Sequence, residues 1–190
     1  KEYTNFFTNE FSSISGKSLT SSTKNEMESF GIKSAGGDSY TIDNIDTFKK
    51  GVRSWAGANN LLEIKSNDYP GISFDSNINS AADIYGVKVS SPYLSSNAEK
   101  ALEKISTLAS ANGMNIGINS MGRPQAVQNM LIKSKDHEAA KKSAHSSGSA
   151  IDFNVKKGSN EELVIEQALR NSGLGYKTHY HDGHLHVEIT

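Results

Sequence analysis

The stretch Ser143-Ala-His-Ser-Ser-Gly-Ser-Ala-Ile-Asp152, read together with His184-Leu-His186 near the end, organises this chain. The first stretch holds an imidazole and a carboxylate seven residues apart, His145 and Asp152. In the second stretch the two histidines alternate with apolar residues, so if this stretch is a strand both imidazoles project from one face. A chain without Cys must build any transition-metal site from imidazole and carboxylate. Two histidines and one carboxylate on adjacent strands leave a fourth zinc position for water, the arrangement of a catalytic zinc site.

Composition sets the broad class of the protein. The 190 residues are enough for one well-buried domain with a small appended region. A net charge of −1 argues against a nucleic-acid partner, and mean hydropathy of −0.52 with no long apolar run predicts no membrane insertion. The absence of Cys excludes disulfides and thiolate sites. Since the chain begins at Lys1 without Met, we expect a processed or trimmed product.

Periodicity predicts an α+β fold. Apolar spacings of three or four residues predict three helices, at about 41–56, 97–111 and 161–171. The first helix is expected to be capped by Thr41 or Asp43, the second by Ser95 with the two residues after it, and the third by Asn160. In the third helix, Leu163 is expected on the buried face. Alternation predicts strands near 114, 150, 176 and 184, the last two joined at Asp182-Gly183. We expect a small antiparallel sheet that carries the metal site, with helices packed behind it.

A loop-rich segment at 66–80 is the only plausible domain boundary. Residues 1–90 are predicted to be mostly helix and loop, with an early helix near Glu2–Phe11, and either to pack on the core or to form a small substrate-binding subdomain. Residues 91–190 are predicted to form the metal-binding core.

Arg123 lies where a predicted strand ends and a helix begins, because Pro124 suits the first turn of a helix through Val127. Side chains at such positions usually face a cleft. His137, between two acidic residues, is expected to be solvated, and His179 to have only a surface role.

Taken together, these motifs resemble the zinc peptidases that group D-Ala-D-Ala carboxypeptidases, lysostaphin-type endopeptidases and the hedgehog amino-terminal domain. The pattern Ser-x-His-x-x-Gly-x-Ala-x-Asp and the late His-x-His both match, as does Ser120-Met-Gly-Arg123, which is similar to the Ser-Gly-Tyr-Arg segment of the carboxypeptidase branch. The resemblance covers about residues 97–190 and is closest to the carboxypeptidase and murein endopeptidase branches.

The resemblance implies a role for each matching residue. The zinc ligands would be His145, Asp152 and His186. His184 would stabilise the developing oxyanion. The substrate would be contacted by Arg123, Ser120 and Ser143. Of these, Arg123 would bind a carboxylate or carbonyl of the substrate.

The general base is open between two residues. The carboxypeptidase branch has an acidic residue three positions before the last ligand, where this chain has Gly183. Asp182 lies one residue too early, whereas His181 is similar to a histidine of the penicillin-insensitive murein endopeptidases. We prefer His181, because imidazole titrates near neutral pH.

The function that the resemblance implies is zinc-dependent hydrolysis of an amide bond in peptidoglycan stem or cross-link peptides. Such an enzyme would be a monomer that acts in the periplasm, in the cell wall or after secretion, or is delivered by a phage. The alternative is a non-catalytic zinc-bearing module that recognises a peptide or glycan.

Overall fold

The computed structural model describes residues 21–36, 39–42, 44–74, 91–127, 143–181 and 183–190. The chain forms two compact units, one of residues 1–59 and 124–143 and the other of residues 60–123 and 144–190. The helix predicted near Glu2–Phe11 lies outside the described residues, and the helix after Pro124 is described only over 125–127. The boundary predicted near residue 90 falls in the undescribed segment 75–90 and stays a prediction. In the described part of the chain, no helix is long and apolar enough to cross a membrane.

In the described part of the first unit, the elements before residue 59 are α1 (Ser21–Ser29), β1 (Ile32–Gly36), β2 (Ser39–Ile42) and α2 (Ile45–Ala58), and β1 and β2 form a hairpin. The prediction that α2 begins at Thr41 is wrong, because Thr41 pairs with Lys33 in the hairpin. Asn44 caps the helix instead, and its Oδ1 accepts the backbone N–H groups of Asp46 and Thr47, each at 3.0 Å.

The second unit is built on a five-stranded sheet. Its described elements are β3 (Leu62–Glu63), β4 (Ile72–Phe74), β5 (Tyr93–Leu94), α3 (Ser96–Ala111), β6 (Ile116–Ser120), β7 (Ala150–Phe153), α4 (Asn160–Arg170), β8 (Tyr176–His181) and β9 (His184–Ile189), with short 3-10 turns at Ser66–Asp68 and Ala144–Ser147. The strand order is β4-β6-β7-β9-β8, and β3 pairs separately with β5.

The α+β prediction is confirmed, with one correction to the sheet. The four strands predicted from alternation pair antiparallel, as expected. The sheet as a whole is mixed, however, because β4 pairs parallel with β6. The chain between these two strands contains α3, and a helical crossover returns the chain in the same direction.

Helices α3 and α4 cover the apolar face of the sheet. Ile105 of α3 and Ile165 of α4 belong to one buried core with Ile151 of β7 and Val187 of β9. Ser95 caps α3 as predicted, its Oγ accepting the N–H of Ala98 at 3.3 Å.

The description of α4 from sequence was wrong in two details. Its cap is Ser159 rather than Asn160, because the Ser159 Oγ accepts the N–H of Glu162 at 3.3 Å. Leu163 is not buried: it is 57% exposed, since the core face of α4 is formed by its neighbours Val164 and Ile165 and by residues one turn later.

The opposite face of the sheet carries the polar residues. Strand register aligns one residue from each of four strands in a single row across the sheet: Ser120, Asp152, His186 and His179. The hairpin predicted between β8 and β9 is confirmed. His181 pairs with His184, and Gly183 in the turn has a positive φ of 79°. This row of four residues fixes where the candidate site lies.

Candidate metal centre

Three elements bring the potential metal ligands together. His145 lies on the 3-10 turn before β7, Asp152 on β7 and His186 on β9. One ligand atom from each lies within 4.8 Å of the others, and all three residues are buried. The strand register explains part of this convergence, because Asp152 and His186 are direct cross-strand partners.

The Asp152 carboxylate is the centre of the cluster. Its Oδ1 lies 2.7 Å from Nδ1 of His186. Its Oδ2 lies 3.2 Å from Nε2 of His145 and 3.6 Å from Nε2 of His184. One buried carboxylate therefore faces three imidazoles, two of which come from the same strand.

Backbone hydrogen bonds orient His145. Its Nδ1–H donates to the carbonyl of Met121 at 2.6 Å, which leaves Nε2 to face Asp152. The carbonyl of His145 in turn accepts the backbone N–H of Arg123 at 2.9 Å. An imidazole that donates one nitrogen to a carbonyl is held in the tautomer that offers the other nitrogen to a metal.

Gly148 allows the chain to pass from the His145 turn into β7. Its φ is +67°, a conformation that glycine adopts without a steric penalty. A Cβ at this position would lie 2.8 Å from Cδ2 of Leu61 and 2.9 Å from the backbone nitrogen of Ser95. The glycine between the two ligands is therefore required both by backbone conformation and by space.

Burial and neighbouring charges set the protonation of the cluster. Burial alone would raise the pKa of the Asp152 carboxyl, but the charge and hydrogen bonds of His145 and His186 hold that pKa well below its usual range. Burial lowers the pKa of the His145 imidazole, and the attraction of Asp152 offsets this only in part. At neutral pH the cluster thus offers an ionised carboxylate and a neutral imidazole, the forms that bind metals.

The cluster could hold a metal ion through three protein ligands. Tetrahedral zinc, with bonds of about 2.0–2.2 Å to nitrogen and oxygen, separates neighbouring ligand atoms by about 3.4 Å. Nε2 of His145 and Oδ2 of Asp152, 3.2 Å apart, are close to this separation. Nδ1 of His186 lies 2.7 Å from the other carboxylate oxygen, Oδ1, which is a hydrogen-bond length, so these two atoms would have to separate slightly if both held one ion. Imidazole and carboxylate are ordinary zinc ligands, and the sequence contains no thiolate that would select a softer metal.

A buried guanidinium lies beside the cluster. Arg123 is 8% exposed, and its Nη2 donates to Oγ of Ser120 at 3.1 Å. Burial lowers the pKa of Arg123, while the charge of Asp152 opposes this change; an Arg in a protein nevertheless remains protonated. Ser120 is itself the cross-strand partner of Asp152, so Arg123 is anchored on the same row as the metal ligands.

For the remaining predicted site residues, the structure describes only the burial, the backbone pairing or nothing at all. Ser143 is half-buried and belongs to the first unit. The backbone of His181 pairs with that of His184 at the end of the hairpin. Asp182 and His137 lie outside the described residues. The assignment of the base and the substrate role of Ser143 therefore stay predictions.

Two contacts of the candidate ligands were not predicted from the sequence. His179 is exposed, as expected of a surface residue, but it also pairs with His186, and the centroids of the two rings lie 4.6 Å apart. The sequence contained a signal for this pair. A two-residue hairpin turn predicted at Asp182-Gly183 pairs His181 with His184, and the same register pairs His179 with His186. The Met121 carbonyl is a backbone group, for which the sequence has no signal.

Comparison with protein families, characterised proteins and solved structures gave no match to this chain.

Proposed function

We propose that this protein is a zinc-dependent peptidase that hydrolyses an amide bond in peptidoglycan stem or cross-link peptides. One observation carries the proposal: the buried cluster of His145, Asp152 and His186 has a further buried imidazole, His184, 3.6 Å from the same carboxylate. A site that only held a metal would need ligands alone. An additional imidazole beside three ligands is the arrangement expected where charge develops during a reaction.

His145, Asp152 and His186 would hold the zinc. Bound zinc acts as a Lewis acid that polarises a carbonyl and lowers the pKa of water to about 7, which is the chemistry that amide hydrolysis requires. Three protein ligands are typical of catalytic zinc, whereas structural zinc sites are usually closed by four.

His184 and Arg123 would act on the substrate. The His184 imidazole is 2% exposed, and a donor in such a dry position stabilises developing negative charge more strongly than it would in water. Arg123 would grip a substrate carboxylate through two parallel N–H groups, and Ser120 would hold the guanidinium in place. Ser143 is proposed to contact the substrate, and His181 or Asp182 to act as the base.

The choice of substrate rests on the resemblance in the sequence motifs. Peptidoglycan stem peptides carry several carboxylates, and the Arg123 guanidinium is suited to bind such a group. We accordingly propose that the protein acts outside the cytoplasm, or is delivered there by a phage, and functions as a monomer.

A second function is favoured by one observation. Three residues before His186, where the carboxypeptidase branch has an acidic base, this chain has Gly183. In the metal cluster formed by the described residues, Asp152 is the only carboxylate, and it is itself a ligand. A zinc-bearing module that binds a peptide or glycan without cutting it would have these features.

Defined muropeptides separate the two functions. The purified protein is incubated with them, with and without a chelator, and products are identified by mass spectrometry while zinc is measured by elemental analysis. The peptidase proposal expects chelator-sensitive addition of water across one amide, abolished in His184→Ala although that variant retains zinc. Glu188→Gln is the matched control, since Glu188 lies on the same strand, two residues beyond His186, and is not part of the cluster.

Each other outcome has a defined meaning. Intact muropeptides with zinc fully bound would favour the binding module. Cleavage of an unrelated peptide alone would keep the peptidase chemistry and remove the peptidoglycan assignment. Wild-type protein without zinc, or undiminished zinc in His145→Ala, would remove the metal centre and the proposal with it.

A further inference from the structure

His179 occupies the last position of the residue row that crosses the sheet. It lies on β8, which ends the five-stranded sheet, and strand register places it directly opposite His186. The centroids of the two imidazole rings are 4.6 Å apart and their planes are inclined by 40°. His179 is exposed, whereas His186 is only 8% exposed. An exposed ring on the edge strand therefore packs against the buried ring of a candidate metal ligand.

We propose that His179 is a positioning residue of the metal centre, whose ring packs on His186 and holds that ligand in the orientation needed to bind the metal. This inference rests on the proposed zinc site, and it is independent of the substrate.

The physical reason lies in the contacts of His186. Its hydrogen bond to Asp152 fixes the position of Nδ1, but a hydrogen bond at one atom does not by itself fix the tilt of the ring. The ring of His145 also contacts it, with centroids 5.0 Å apart and planes inclined by 68°. His179 adds a ring contact from the adjacent strand. A ligand already held in its binding orientation loses less conformational freedom when the metal binds.

Metal affinity is the direct measure of this role. Zinc binding is measured by competition with a chromophoric chelator for the wild type, His179→Ala, His179→Phe and Lys177→Ala. His179→Ala should weaken zinc binding by about two- to tenfold, because the less restrained His186 ring then has to be ordered when the metal binds. His179→Phe restores a ring without imidazole nitrogens and should bind zinc within about twofold of the wild type.

Lys177→Ala is the matched control. Lys177 is exposed, lies two residues before His179 on the same strand, and pairs with Glu188 rather than with a ligand. It should leave zinc binding unchanged. The visible absorption of the cobalt-substituted protein reports ligand geometry independently of affinity. It should change in His179→Ala and remain as in the wild type in His179→Phe and Lys177→Ala.

Three results would overturn the inference. Unchanged affinity and cobalt spectrum in His179→Ala would show that the ring does not orient His186. Equal losses in His179→Phe and His179→Ala would show that an imidazole nitrogen, rather than ring packing, is what matters at this position. Wild-type protein that binds no zinc would remove this inference together with the proposed function, whereas either of the first two results leaves the proposed function intact.

Discussion

Replacing Gly148 by Ala tests whether the turn between His145 and Asp152, two candidate metal ligands, is as tightly constrained as the structure indicates. Gly148 follows the His145 turn, and its N–H donates to the His145 carbonyl at 3.0 Å. Its own carbonyl accepts the N–H of Ser95 at 2.9 Å, directly before α3. A side chain at position 148 would therefore disturb the turn that presents His145 and the start of a buried helix.

Two contributions determine the expected loss. A residue with a Cβ pays about 1–2 kcal/mol to adopt a left-handed conformation, and Gly148 has a φ of +67°. The added Cβ would also lie 2.9 Å from the Ser95 backbone nitrogen, which cannot move away as a flexible side chain would. Overpacking of this kind costs about 1–3 kcal/mol. We expect Gly148→Ala to lower the free energy of unfolding of the second unit by about 2–5 kcal/mol.

Gly158→Ala separates the two contributions. Gly158 belongs to the same unit and has a φ of +79°, but a Cβ there would meet nothing within 4 Å. It should cost only the conformational part, about 1–2 kcal/mol. Native-state hydrogen exchange of the β7 and β9 amides gives the unfolding free energy of this unit alone. A chelator is added throughout, because bound metal would stabilise the folded state.

The comparison between the two glycines is decisive. If Gly148→Ala costs no more than Gly158→Ala, the close approach of Leu61 and Ser95 does not constrain the turn. The steric explanation for this motif glycine would then be wrong.

Two further predictions concern pH and helix capping. In the metal-free protein the folded pKa of Asp152 lies well below its unfolded value of about 3.9, so its stabilising contribution is complete above that value and disappears as the pH falls through the folded pKa. The pKa of His145 in the folded protein is also lowered, so on acidification the unfolded chain takes up this proton before the folded protein does. The free energy of unfolding should therefore decline below about pH 6.5. A urea unfolding midpoint that rises on acidification would contradict both pKa shifts. Ser159→Ala removes the cap of α4 and should cost about 1 kcal/mol in thermal unfolding, whereas Asn160→Ala should cost much less; the reverse order would show that Asn160 is the cap.

Local patterns in the sequence predicted the part of the fold that carries the site. The alternation in β9 placed His184 and His186 on one face, and the turn residues at 182–183 predicted the hairpin. These signals succeed because strand faces and two-residue turns depend on neighbouring residues alone.

Features that depend on distant residues were not predicted. The parallel pairing of β4 with β6 joins residues more than 40 positions apart, such as Ile72 and Ile116, and leaves no periodic trace in either strand. Thr41 is a residue type that often caps helices, but pairing with Lys33 places it in a strand.

The Ser159 cap was missed by a single residue, because Ser159 and Asn160 are both good capping residues and only the backbone conformation decides between them.

The row of Ser120, Asp152, His186 and His179 has a consequence for how this protein tolerates insertions and deletions. Because strand side chains alternate with a period of two, inserting or deleting one residue before His186 within β9 would exchange its ligand face for its apolar face. Such a change would direct Leu185 or Val187 towards Asp152 and bury imidazoles in the core, although the composition would hardly alter. Length changes in β7 and β9 are therefore far more damaging than most substitutions, whereas the exposed loop at Gly158 is free of this restriction.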